Sequence, residues 1–530
     1  MDYKQFLKNR MGDMPIIMNM YWYLVGQHRP WRVHYNLDNI KPIVSQAVQD
    51  VLTARQKAPQ GKRIFLFSAL HYWIEHVFMM GLALAGKGHQ VSLGYLPYAE
   101  WQEPVSNFDL RRQDIYTRQL LRPASEVMQI VPLLDVKPAP LTEELEKIAH
   151  EMAVFDTQYT LQIEEISPDD SLYQLRYERN LNAARIMVAW LEQNKPDVVI
   201  IPNGSILELG VLYKVCRSMN IDAVTYEYGD MRETIWLAKN QEIMRQNTDD
   251  LWAGLGGSPL TAEHRQILTD FFIARKNAQL WGNYAKKWQE VGTEGAQRVK
   301  QVLKLDDRPV VLLATNVLGD SLMLGRQVIS QTMADWIKDT IAHLHERQDI
   351  QVVIRVHPDE VSYKGTSMVQ VIKEAYPQLP DNFHIIGPAE KVNTYDLMEV
   401  TRLGLVFTTT AGLEMTLAGI PVITAGQTHY RGRGFTYDPA SWDGYISMLD
   451  GMLADDSLSR LSEQQLELAW RYAYLFFFEY ALSFPWHVVY FKEDIRKKPL
   501  SYVLGEEGQR QFGVTLDFLA GEPIQYHFNH

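Results

Sequence analysis

The sequence predicts an α/β protein built from two Rossmann-like domains, and three observations carry that prediction. Short apolar runs recur, among them Arg63-Ile-Phe-Leu-Phe67, Asp197-Val-Val-Ile-Ile-Pro202, Val310-Val-Leu-Leu-Ala314 and Gln351-Val-Val-Ile-Arg355. Strands buried on both faces of a parallel sheet need such runs. Each run gives way to polar or small residues and then to a helical pattern, which is the punctuation of βαβ units. The chain has 530 residues, more than one hydrophobic core usually serves, so two large domains are expected.

In the N-terminal half, the first strand is followed by Ser68-Ala-Leu-His-Tyr-Trp-Ile-Glu-His76, a helical stretch to Gly86-Lys-Gly-His89, and a second strand Gln90-Val-Ser-Leu-Gly94. The strand 197–202 leads into Asn203-Gly-Ser205, which opens the helix carrying Glu208. A further strand, Ile221-Asp-Ala-Val-Thr-Tyr226, ends at Glu227-Tyr-Gly-Asp230. Residues 105–190 are polar with a helical pattern and read as an inserted helical layer. A second polar helical region, 258–304, ends in Lys304-Leu-Asp-Asp-Arg-Pro309 and marks a domain boundary. The expected organisation is an N-terminal Rossmann-like domain over 1–305, a C-terminal Rossmann-like domain over 306–460, and a helical segment over 461–530 that packs back on the first.

The C-terminal domain holds the most specific pattern. Thr408-Thr-Thr-Ala-Gly412 follows the apolar run 403–407 and precedes a helical pattern that ends at Gly419 before Ile420-Pro-Val-Ile423. A turn of small residues at a strand end can offer backbone N–H groups to an anion, although an ordinary crossover has the same punctuation. His357, fixed by Pro358, stands at the tip of the strand 351–355, where ligands bind in open α/β sheets. Arg431 and Arg433 lie in the Gly-rich loop Tyr430-Arg-Gly-Arg-Gly-Phe435; guanidinium forks suit phosphate or carboxylate, while solvation explains exposed loop arginines equally well. Two such domains with ligand-facing strand ends make a GT-B-like architecture, two Rossmann-like domains facing a cleft.

Composition narrows the function classes. The net charge is −12, which argues against general nucleic-acid binding, since neutralising phosphates takes a basic excess. The single cysteine, Cys216, rules out an internal disulfide framework and reads as a buried thiol. The first residues lack a basic stretch followed by an apolar core, so a cytoplasmic location is expected, including the inner face of the cell membrane. Pro15 to Val25 and Tyr472 to Phe491 are aromatic-rich but too short or interrupted to span a bilayer. Interior packing is the expectation for both, with an aromatic face at a membrane surface as the alternative. His71 and Glu75, one helical turn apart, form a secondary candidate pair. Two ligands without a third make no metal site, and no metal is expected.

Three segments together resemble the bacterial capsule polysaccharide biosynthesis proteins, which include transferases of the acidic sugar Kdo: Arg355-Val-His-Pro358, Thr408-Thr-Thr-Ala-Gly-Leu-Glu-Met-Thr-Leu-Ala-Gly-Ile-Pro421 and Tyr430-Arg-Gly-Arg-Gly-Phe-Thr436. The likeness covers most of 310–440. Upstream, Tyr226-Glu-Tyr-Gly-Asp-Met-Arg232 is similar to the acidic-acidic-Gly motif of those enzymes and of bacterial GT-B sialyltransferases, with Tyr228 in the second acidic position. The resemblance implies a glycosyltransferase that moves a sugar from a nucleotide-activated donor, a CMP-linked acidic sugar among the candidates, to a cell-surface or capsular glycan or its lipid-linked form. It implies no tightly bound cofactor, the nucleotide sugar entering as substrate. It places the donor at His357, Thr409, Thr410, Gly412, Glu414, Arg431 and Arg433, and catalysis at Glu227 and Asp230, with Asn203 and Arg232 beside them as acceptor candidates. A nucleotide-sugar epimerase, a polyol-phosphate transferase and a non-catalytic scaffold of a polysaccharide assembly complex remain as alternatives.

Overall fold

The structure, a computed structural model, describes residues 8, 10–28, 34–284, 290–362, 365–524 and 526. Among the described residues twelve strands occur: β1 Arg63–Leu70, β2 Gln90–Tyr98, β3 Gln129–Pro132, β4 Val198–Pro202, β5 Ala223–Tyr228, β6 Thr234–Lys239, β7 Val310–Ala314, β8 Gln351–Arg355, β9 Phe383–Ile386, β10 Thr401–Val406, β11 Val422–Thr424 and β12 Leu482–Ser483. They belong to two compact units. Residues 1–156, 167–246 and 481–524 form the first, and 157–166, 247–480 and 525–530 the second.

The first unit carries a sheet in the order β12-β6-β5-β4-β1-β2-β3. The strands from β3 to β5 pair in parallel, while β5 with β6 and β6 with β12 are antiparallel. The second unit carries β11-β10-β7-β8-β9, parallel throughout. Both parallel sets have the Rossmann order. The unit's first strand is central, two strands extend to one side, and the chain then crosses to the other, leaving a topological switch point beside the first strand.

Covering on both faces explains why the strand sequences are continuously apolar. Along β7, Val311 and Leu313 face a core with Trp336, Ile337 and Ile341, whereas Val310, Leu312 and Ala314 face another with Leu397 and Met415. All five positions of β4, β7 and β8 are buried. The strand pattern predicted from sequence therefore stands, and β7 and β8 match its boundaries. In β1 the strand runs on to Leu70, so the following helix begins at His71.

The unit boundary differs from the expected one. It falls between Gln246 and Asn247 rather than near 305. Helix Ala262–Lys276 and helix Ala296–Leu303 belong to the second unit, where Val299 enters the core and Asn393 Nδ2 donates to the carbonyls of Lys276 and Val291, both at 2.8 Å. Polarity alone had placed the boundary after these helices, but Val299 docks on this sheet and Phe271 packs on Phe477 and Phe478 of the same unit. Residues 461–480 also stay with the second unit, and 481–524 complete the first. The inserted layer of the first unit comprises helix Asn107–Leu121, helix Glu143–Leu161 as far as Asp156, and helix Ser171–Asn194, but it also contributes the edge strand β3, too short to show a pattern.

The two aromatic stretches part company. Tyr472 and Phe476 to Phe478 are buried, as interior packing requires. Helix Pro15–Leu24 buries only Met18 and Trp22, so its expected interior role does not hold. Cys216 is buried, and burial pushes its thiol pKa up, leaving an inert side chain.

Candidate active site

In the second unit a cavity of about 90 Å³ opens at the carboxyl ends of β7, β8 and β10, the switch point of that sheet; its walls include Thr315, Arg355, His357, Thr409, Thr410 and Glu414. Arg355, the last residue of β8, is 5% exposed. Its Nη1 donates to Gly387 O at 2.9 Å and its Nη2 lies 3.4 Å from Val392 O, while Nε is buried without a hydrogen-bond partner. Burial lowers this guanidinium to about 10. Backbone carbonyls, rather than a bonded carboxylate, hold it, so a bound anion would improve its surroundings.

His357 is oriented by its own turn. Its N–H donates to Thr315 Oγ1 at 3.1 Å, and its Nδ1 accepts from Asp359 N–H at 3.2 Å. In the neutral ring the proton therefore sits on Nε2. The Thr turn is less open than its sequence suggested. Thr409 Oγ1 accepts Ala411 N–H at 3.3 Å and Thr409 O accepts Gly412 N–H at 3.3 Å, so two leading N–H groups of helix Ala411–Leu417 are already engaged. Those two N–H groups are not open to an anion, whereas Arg355 Nε is a cavity group without a hydrogen-bond partner. Thr408 Oγ1 is buried beside them without a hydrogen-bond partner.

The remaining donor-side residues have structural duties. A Cβ on Gly412 would lie 2.2 Å from Tyr430 Oη and 3.0 Å from Val406 Cγ2, so only glycine lets Tyr430 reach Thr409 O at 2.7 Å. Glu414 forms a buried ion pair with Arg275, whose Nε donates to Tyr395 Oη at 2.8 Å. The Glu414 carboxylate, which the resemblance places at the donor, thus lines the cavity as the partner of Arg275. Arg431 and Arg433 do not line this cavity. Arg431 pins its loop through Thr424 O at 3.0 Å, Thr424 Oγ1 at 2.8 Å and Pro439 O. Arg433 pairs with Asp249 at 2.6 Å and donates to Thr248 Oγ1 at 3.1 Å. Arg355, Thr315, Arg275, Thr394 and Tyr395 are cavity residues not singled out from the sequence; a charged residue closing an apolar strand was the available signal for Arg355.

In the first unit, Glu227 sits near the end of β5 with its carboxylate buried. It accepts from Asn203 Nδ2 at 3.1 Å and from Tyr228 N–H at 3.1 Å. Desolvation outweighs both bonds and raises its pKa from 4.5 to about 7. Asn203 follows β4 with a left-handed backbone, φ 55°. That strain is held by its N–H to Tyr226 O at 2.7 Å and by Ser205 N–H donating to its Oδ1 at 3.1 Å. Thus Asn203 and Glu227, distant in sequence, form one buried pair.

Asp230 is half-buried in the turn after β5. The turn is clasped by His487, whose Nε2 donates to Gly229 O at 3.0 Å while its Nδ1 accepts from Val489 N–H at 3.3 Å; nothing in the sequence had marked His487. Arg232 lies over the Tyr490 ring at 3.6 Å. Tyr228, in the position of the second acid, is 41% exposed. His71 opens helix His71–Gly86 against Tyr35, and burial lowers its pKa to about 4. Glu75 accepts from Asn39 N–H at 2.9 Å and Asn39 Nδ2 at 2.6 Å, which makes it an anchor for that segment. Among the described residues no group of three or more His, Cys, Asp or Glu is arranged to hold a metal ion.

Two Rossmann-type sheets in one chain, with a cationic cavity at one switch point and a buried carboxyl near the end of a parallel strand in the other, define a protein of GT-B type. Residues 270–444, which contain β7 to β11 and every donor-side residue named above, match the family model described as capsule polysaccharide biosynthesis protein. The resemblance read from the sequence is borne out over that segment. No curated protein matches the chain. Among solved structures, KpsC from Thermosulfurimonas dismutans, a β-Kdo 2,4 transferase, is 17% identical over 52% of this chain and 78% of its own, with a TM-score of 0.33. The UDP-GlcNAc 2-epimerase of Neisseria meningitidis bound to UDP-GlcNAc is 12% identical over 78% of this chain and 98% of its own, with a TM-score of 0.26. The UDP-GlcNAc 2-epimerase of Methanocaldococcus jannaschii is 12% identical over 77% and 98%, with a TM-score of 0.28. Likeness at this level assigns no activity.

Proposed function

We propose that the protein is a glycosyltransferase that draws on a nucleotide-activated sugar, with the donor phosphate bound in the second unit at Arg355 and His357. The observation that carries this reading is the small cationic cavity at the sheet's switch point. Its volume of about 90 Å³ corresponds to roughly three waters, which suits a phosphate group and leaves base and sugar outside it. As the anomeric C–O bond to phosphate breaks, charge builds on the departing nucleotide; the guanidinium and the imidazole N–H stabilise it. A new C–O bond forms to the acceptor hydroxyl, whose proton passes to a base. Glu227 is the base candidate, because a carboxyl with a pKa of about 7 is well matched to proton transfer near neutrality. Asp230 is the alternative carboxylate.

A thermal-shift panel of CMP, CDP, UDP, GDP and ADP tests the donor site, since a nucleotide that binds only the folded state raises the melting temperature by mass action. A selective shift, lost in His357→Ala, is expected and identifies the sugar nucleotides to assay for transfer, CMP-linked acidic sugars first. No shift from any nucleotide would sink the proposal. The exposed Tyr228 in an acidic position favours a second reading, a non-catalytic scaffold of polysaccharide assembly; nucleotide binding without turnover of any sugar nucleotide is the result that selects it.

A further inference from the structure

Helix Pro15–Leu24 has the composition of an interior element and the exposure of a surface one. Its sequence, Pro-Ile-Ile-Met-Asn-Met-Tyr-Trp-Tyr-Leu, contains no charge. Met18 and Trp22 point inward, and Trp22 Nε1 donates to Gln119 Oε1 at 2.9 Å. At about 100° per residue, Ile16, Ile17, Met20, Tyr23 and Leu24 fall in one stripe roughly 120° wide on the opposite side. Ile16 is 77% exposed, Tyr23 62% and Leu24 74%, and Met14 and Val25 extend the patch at its ends. Single exposed apolar residues need no explanation, but a contiguous stripe on an uncharged helix does.

The charge around the stripe indicates what covers it. The chain carries −12 overall, yet its first 35 residues hold five Lys or Arg against two Asp. Under the helix, Arg111, Arg118 and Arg122 line a cavity of about 240 Å³ with Asp114 and Asp135. The aspartates bond Arg111 and Arg118, and Arg122 is exposed at the cavity wall. An uncharged apolar stripe beside the exposed Arg122, in a segment whose sequence has a basic excess, complements an anionic lipid surface. A second copy of the chain fits less well, because a two-fold interface would bring the basic excess of one copy's segment against that of the other.

We propose that helix Pro15–Leu24 is an interfacial anchor that lies in the headgroup region of an anionic membrane, with Ile16, Met20 and Leu24 inserted and the flanking cations on lipid phosphates. Its ten residues are about half of what a span requires, and no helix among the described residues is long and apolar enough to cross a bilayer.

Vesicle flotation of the full chain tests this, using phosphatidylglycerol–phosphatidylcholine vesicles beside pure phosphatidylcholine, with an Ile16→Asp/Leu24→Asp double variant and Arg122→Glu. Both apolar sites are solvent-facing, so the double variant should melt within a degree or two of the wild type. The expected result is at least tenfold stronger binding to the anionic vesicles, weakened by salt, lost in the double variant and reduced several-fold in Arg122→Glu. Absence of binding to anionic vesicles, or unchanged binding by the double variant, overturns the proposal. So does a wild-type dimer by light scattering that the double variant dissociates without any vesicle binding, which would assign the stripe to a second copy.

Discussion

A carboxyl group that keeps its proton near neutral pH makes folding itself pH-dependent. Glu227 has a folded-state pKa of about 7 against 4.5, so the folded chain binds a proton that the unfolded chain has released. The stability this gives is full below about pH 4.5 and is lost as pH rises through about 7, a change of about 3 kcal/mol. Glu227→Gln should remove that dependence: similar stability to the wild type near pH 4, and greater stability above pH 8, in urea titrations at both pH values. The same variant should lower turnover by about 10²-fold or more and spare donor binding; full activity would remove Glu227 from the role of base. At the second cavity, Arg355→Met deletes a buried cation whose Nε has no partner, and the nucleotide-induced thermal shift should vanish with it. The sequence revealed His357 through its rigid His-Pro setting. It did not reveal Arg355, because nothing in the residue type says that this guanidinium is buried.

At the scale of the element, the strand–turn–helix at 401–417 shows which parts of a motif are chemistry and which are packing. The sequence exposed the turn itself, since an apolar run followed by Thr and Gly has few other readings. It could not show that Thr409 occupies the N–H groups around the turn, or that Gly412 is small because Tyr430 lies against it. Gly412→Ala should therefore cost about 1–3 kcal/mol through overpacking and weaken nucleotide binding by disturbing Thr409, read as a lower midpoint in urea with an unchanged slope. Glu414→Gln acts differently. It leaves the Arg275 guanidinium buried beside an uncharged partner, and a loss of about 3–5 kcal/mol is expected; wild-type stability in this variant would show that the pair is relaxed by water.

Across the whole molecule, fold class was legible and boundaries were not. Parallel strands announce themselves by continuous apolarity, and eight of the strands were anticipated at nearly the observed positions. The unanticipated β3, β6, β9 and β12 are short, antiparallel or at edges, where period and composition are weak guides. Which unit a polar helix joins depends on contacts formed far along the chain, and so residues 247–305 were assigned to the wrong side. The segment 481–524 is the clearest case: it supplies β12, the His487 clasp on Gly229 O at 3.0 Å, and the Trp486 carbonyl bonded to His76 Nε2 at 2.9 Å. Truncation after Tyr480 should abolish the cooperative melting of the first unit, seen by circular dichroism and by protease sensitivity of 63–239.

That discontinuity has a consequence in time. A ribosome delivers roughly 5–20 residues per second, and the strand that closes the edge of the first sheet emerges only after residues 247–480 of the second unit have been made. Until then β6 presents an unpaired edge, and His76 lacks its contacts with Phe484 and the Trp486 carbonyl. The nascent chain thus spends on the order of tens of seconds with its earliest-made half unfinished and one sheet edge open to pairing with other chains.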